Sequence, residues 1–146
     1  MWTREAASPS ESWTPLPLEG RQDPAVRRRL SPAALRAFFR IADAWALSGT
    51  EQRALLGWPP PSTYHKYKSG QPGVLSYDTL TRVSLVLGIY KALQILYAEP
   101  AFADGWMRMP NANPLFGGGT PVAFAVNTGL DGLLQVRRLL DARRGG

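Results

Sequence analysis

Apolar side chains recur along this chain at helical spacing, and no strand-like alternation competes with them. Ser31-Pro32 reads as a helix start, with serine able to cap free amides and proline suited to the first helical position. Leu35, Phe38, Phe39, Ala42, Trp45 and Ala46 then form one buried stripe. Ser48-Gly49 is expected to end this helix, and Thr50 to cap a short one from Glu51 through Leu56 that Gly57 terminates. Trp58 and the run Pro59, Pro60 and Pro61 make a stiff connection to a second short helix over residues 62–68, closed by Ser69-Gly70. Ser76 and Asp78 open a helix carrying Leu80, Val83 and Leu87; Gly88 is expected to break or bend it before Ile89, Leu93 and Leu96 continue the same face.

Glu99-Pro100 marks a module boundary, followed by a short helix around Phe102 to Met107 and a Pro/Asn/Gly loop from Pro110 to Gly119. Thr120-Pro121 opens a further helix. The last helix begins after Asn127-Thr128-Gly129, buries Leu130, Leu133, Val136, Leu139 and Leu140, and places Arg137, Arg138, Arg143 and Arg144 toward the negative end of its dipole. Residues 1 to 25, with Pro9, Pro15, Pro17, Gly20 and Pro24, show no period and read as a mobile arm whose Trp2 and Trp13 dock. The expectation is an all-α protein: an arm over 1–25, a helix-turn-helix-like module over 26–97 and a small helical domain over 98–146.

Composition narrows the function. With no cysteine, disulfides, thiolate metal sites and thiol nucleophiles are excluded, and a reducing cytoplasm is compatible. No apolar run or signal pattern suggests a membrane or export route. The net charge of +6 favours anionic partners, and the surplus is the same, two charges, in residues 1–50, 51–100 and 101–146. No single basic tail therefore accounts for it. Arg27-Arg28-Arg29 reads as a solvated approach to the first helix rather than a phosphate contact. One histidine, no thiol and no paired carboxylates disfavour an enzyme: Glu51, Asp78 and Asp104 are scattered and read as caps or surface charges, and no cofactor or metal is expected.

A helix-turn-helix needs a short helix, a tight turn and a second helix whose side chains reach groove edges and phosphates, and residues 50–70 supply that order. Ser62 and Thr63 lie at the positively polarised start of the second helix, and Tyr64, His65, Lys66 and Lys68 follow as donors. The helix lacks the Arg, Asn or Gln side chains that most often read bases. Tyr67 reads as part of the helix seam. Gly117, Gly118 and Gly119 are not a phosphate loop, since no strand precedes them and no Lys-Ser/Thr follows.

Residues 96–146 bring together Trp106-Met107, Pro110-Asn111, Leu115-Phe116-Gly117-Gly118-Gly119-Thr120-Pro121, Gly129 and a leucine-rich helix ending Ala142-Arg143-Arg144-Gly145. This block resembles the toxin-binding domain of the Xre/MbcA/ParS antitoxin family, and Ser31 to Tyr97 resembles the Xre-like module that precedes it. Gly119 departs from the arginine often placed before the Thr-Pro pair, and Arg143-Arg144-Gly145-Gly146 is a variant ending. The resemblance implies a RES-domain toxin, an NAD-destroying enzyme, as partner, with the active-site entrance covered by the antitoxin's C-terminal region. It assigns toxin binding to Trp106, Asn111, Gly117, Gly118, Thr120, Pro121, Arg143, Arg144 and Gly145, although Trp106 and Phe116 on their own read as packing residues. It also implies operator DNA as a second partner and a homodimer within a larger complex, since paired short helices add their contacts. The competing expectation is a stand-alone transcriptional regulator whose back half serves only oligomerisation.

Overall fold

The computed structural model describes residues 20–145, and within them every regular element is helical. The expected docking of Trp2 and Trp13 lies outside that range, as does Gly146. The seven α-helices are α1 (Pro24–Ala44), α2 (Gly49–Leu55), α3 (Pro61–Lys68), α4 (Tyr77–Leu96), α5 (Pro100–Gly105), α6 (Pro121–Thr128) and α7 (Leu130–Gly145), with 3-10 turns at Trp106–Arg108 and Pro114–Phe116.

Helix α1 begins at Pro24, earlier than Ser31-Pro32 suggests, because Asp23 caps it by accepting from the Ala25 amide. Ser31 is fully buried inside the helix instead. Its hydroxyl donates to the Arg27 carbonyl and accepts from the Leu75 amide, joining α1 to the segment before α4. Pro32 lies on the exposed side, where the carbonyl it leaves free can meet water. The end of the expected arm is also ordered: Arg21 is buried and donates to Thr81 and Ser84 on α4. Arg27, expected in solvent, donates to the carbonyls of Leu75, Arg21 and Gln22 and clasps the start of the fold.

Ser48, rather than Thr50, caps α2, and the Glu51 carboxylate returns a bond to the Ser48 amide. Helix α4 runs unbroken through Gly88. It is long and apolar enough to cross a membrane by composition, but most of its apolar residues are taken up inside the fold, with α1, α5 and α7 packed around it. Phe38 and Ile41 from α1, Trp45 just after it, Leu80, Val83, Ile89 and Leu93 from α4, and Leu133, Val136 and Leu140 from α7 join one buried cluster. The hydrophobic core is thus continuous across the Glu99-Pro100 junction. Closely packed helices of this kind hold the two exposed surfaces described next in a fixed relation.

Candidate functional site

Two surfaces carry the residues singled out from the sequence. On the first, α2 and α3 are joined by a turn in which Gly57 and Trp58 both adopt positive φ, +90° and +62°. A bulky residue in this region is costly, and here the Trp58 amide donates to the Arg53 carbonyl while the Arg53 guanidinium lies over the exposed indole. Three prolines then straighten the chain into α3.

Along α3, Ser62, His65, Lys66 and Lys68 are exposed and Thr63 is half-buried. Tyr64 is not a free donor: its ring is 7% exposed and its hydroxyl donates to the Gln52 side-chain carbonyl on α2, whose amide in turn donates to Leu47. That bond fixes α3 against α2, so Tyr64 serves the seam rather than a groove. Tyr67 packs against the core, and burial pushes its hydroxyl pKa upward. The Lys68 ammonium sits 5.8 Å from the Phe39 ring centre and 5.7 Å from that of Tyr64, which holds it in place without neutralising it. Arg36 and Arg40 from α1 line the same shallow cleft as Lys68. Sequence reasoning missed these two arginines as contributors. Their four-residue spacing on α1 signals a shared face, but only packing shows that this face adjoins α3.

The second surface lies at the other end of the molecule's element order. Trp106 is 4% exposed and stacks edge-on with Phe116, which stacks in turn on Phe124; Pro121 is also buried. Both residues shape the domain from inside and are not available to a partner's surface. The loop between them is pinned locally. The Asn111 carbonyl oxygen of its side chain accepts from the Asn113 amide, Asn113 caps the 3-10 turn at Leu115, and the Asn111 amide donates to the Gly119 carbonyl. Gly117 and Gly118 are exposed at φ +57° and +87°, the turn that glycine permits. Thr120 caps α6 through the Ala123 amide. Asn111, Thr120 and the glycines therefore have local structural work, with Gly117 and Gly118 the most accessible of them.

Arg143, Arg144 and Gly145 are exposed on the last turn of α7, which continues helical to Gly145 rather than narrowing into an extended strand. Arg143 donates to the Tyr97 hydroxyl at 3.4 Å, and Arg144 lies 3.7 Å from Asp141. These are edge contacts, and they leave the guanidinium groups open to solvent. Arg137, nearly two turns earlier, pairs with Asp141 and lies across Gly88 of α4, where a Cβ would collide with its guanidinium. Gly88 thus makes room for an arginine from α7 instead of breaking its own helix.

A second bond across the molecule joins the halves. Arg108, in the 3-10 turn, grips both Glu51 carboxylate oxygens at 3.0 and 3.3 Å. Partial burial alone would raise the Glu51 pKa, but hydrogen bonds from Arg108 and Ser48, with the arginine's charge, hold it below the usual carboxylate range. Asp78 pairs with Arg82 and Asp104 accepts from Gln94. Among the described residues, no group of three or more His, Asp or Glu side chains is placed to hold a metal ion.

Comparison with known proteins finds two family models, which meet within α4. Residues 24–88 match the model of the antitoxin Xre-like helix-turn-helix domain, and residues 92–146 match that of the antitoxin Xre/MbcA/ParS C-terminal toxin-binding domain. The chain is 47% identical over 119 residues to the uncharacterized protein y4oB of Sinorhizobium fredii (strain NBRC 101917 / NGR234), covering 79% of this chain and 87% of that protein. No solved structure matches it.

Proposed function

The chain belongs to the Xre/MbcA/ParS antitoxin family, and from that premise we propose that it neutralises a RES-domain, NAD-degrading toxin by covering the toxin's active-site entrance with its C-terminal region. A toxin-binding domain implies a toxin partner, and a helix-turn-helix module implies DNA. The observation that carries the finer reading is the exposed end of α7. There Arg143 and Arg144 stand exposed next to Gly145, a slim end that can enter a substrate cleft while its guanidinium groups pair with carboxylates at the entrance. Obstruction of that cleft needs no bond-making by the antitoxin, so the chain acts as a binder and not as an enzyme.

In the same proposal the chain represses its own operon as a homodimer in the cytoplasm, alone or with toxin bound, with Ser62, His65, Lys66 and Lys68 on the DNA. Their exposure on one short helix, together with the adjacent Arg36 and Arg40, supports a phosphate-contacting face. The decisive experiment mixes the purified chain with a RES-domain toxin encoded beside it and follows NAD. The expected result is a stable complex without NAD loss, against rapid loss by the toxin alone and none by the chain alone. A toxin that neither binds the chain nor is slowed by it would overturn the proposal.

A further inference from the structure

Among the described residues, four large apolar side chains are exposed: Trp58, Tyr77, Ile95 and Phe102. Ile95 and Phe102 fall within residues 92–146; Ile95 shares a cleft with the arginines at the end of α7, and Phe102 reaches Arg143 through Tyr97. Ile95, 54% exposed on the last turn of α4, lines an open cleft with Arg137, Asp141, Arg143 and Arg144. Phe102, 45% exposed on α5, stacks edge-on with Tyr97 at 4.9 Å, and the Tyr97 hydroxyl accepts from Arg143. Ile95 on one side and the Tyr97–Phe102 pair on the other thus border the same Arg143, which joins this ridge of apolar groups to the cationic terminus.

Exposed apolar groups that adjoin one another and are rimmed by charge mark interaction surfaces more often than isolated ones do. Solvated arginines alone make weak anchors, because their ion pairs are screened and the long side chains lose freedom on binding. A desolvated aromatic and aliphatic centre with cations at its rim is the arrangement that holds protein partners. We propose that Ile95, Tyr97 and Phe102, flanked by Arg143 and Arg144, form the anchoring part of the toxin-docking surface and seat in an apolar recess of the toxin bordered by carboxylates. This rests on the preceding reading that the chain holds a toxin, and adds to it that docking is carried by the ends of α4 and α5 as well as by the terminus. The assignment of the occupant follows from continuity: ridge and terminus share one surface inside the toxin-binding domain.

The test compares the full chain with Ile95→Asp and Phe102→Asp, each titrated calorimetrically against the RES-domain toxin. Each substitution is expected to weaken binding by about tenfold or more, with the helical circular dichroism and operator binding unchanged and only a small drop in melting temperature for Phe102→Asp, which loses its stacking on Tyr97. Hydrogen-deuterium exchange on the wild-type complex supplies a measure independent of any variant, with protection expected over residues 95–102. Wild-type affinity in both variants and no such protection would remove the ridge from the interface while leaving obstruction by the terminus intact. A wild-type chain that fails to bind the toxin overturns both readings. Concentration-dependent self-association of the free chain, abolished by either aspartate, would assign the ridge to a second copy and also overturn the inference.

Discussion

The exposed face of α3 and the exposed end of α7 are both short and cationic, yet the fold holds them in opposite ways. Tyr64 and Tyr67 root α3 in the seam, and Lys68 lies over two rings before any partner arrives. Arg143 and Arg144 extend beyond the last fully buried leucine of α7, Leu140, and keep only edge contacts. A regular partner such as duplex DNA rewards side chains preset in one geometry, since less freedom is lost on binding. A partner that must be entered rewards an overhang. On the proposed function, the same residue types would thus serve different recognition according to how firmly their helix is anchored.

The sharpest way to break this comparison is to unroot α3. Tyr64→Ala removes a buried ring and leaves Gln52 without its hydroxyl partner, so a loss of about 3 to 5 kcal/mol is expected in chemical denaturation, with DNA binding falling in step. Deleting Arg143 to Gly146 is next. It should weaken toxin inhibition by about a hundredfold, while circular dichroism and operator affinity stay as in the full chain; undiminished inhibition would remove the terminus from the mechanism. Replacing Lys66 and Lys68 by Ala should lower DNA affinity at every sequence and flatten its dependence on salt by about one to two units of slope, leaving toxin binding untouched. A salt slope equal to wild type would take both lysines off the phosphates.

The smallest effect concerns the bond between the halves. Arg108→Ala should cost at most about 1 kcal/mol, because the pair lies at the surface and is only partly shielded from water. Glu51 is more acidic folded than unfolded, so its contribution is complete above the ordinary carboxylate range and disappears as pH falls through the depressed value. Stability of the full chain should therefore decline on the acid side by slightly more than that of the variant, measured as denaturant midpoints across that window. Parallel curves would deny the pair any part in joining the halves.

Much of this was legible from local pattern, and the misreadings have local causes. The helical stripes of α1, α4 and α7, the turn glycines and the Thr120 cap follow from period and capping chemistry that a few neighbouring residues settle. The Ser48-x-x-Glu51 capping box was also available in the sequence, though Thr50 drew the assignment. Trp106 packs as its own residue type suggests, whereas Tyr64 as an open donor, Pro121 as an exposed residue, Ser31 as a cap and Gly88 as a breaker differ from the structure for another reason. Each residue has a partner or neighbours distant in sequence, and nothing beside it in the chain distinguishes the two roles.

By itself, then, the sequence determined an all-helical chain with a short recognition-like helix, a glycine turn and an arginine-rich end, because helix period, caps and turn chemistry act over a few residues. Only the tertiary structure decided that Gly88 is a seat for Arg137, that Arg36 and Arg40 border Lys68, and that Tyr97 carries the Phe102 ridge to Arg143. Those relations depend on which helix faces meet, and that is fixed by close packing of the whole core rather than by any segment's own preference.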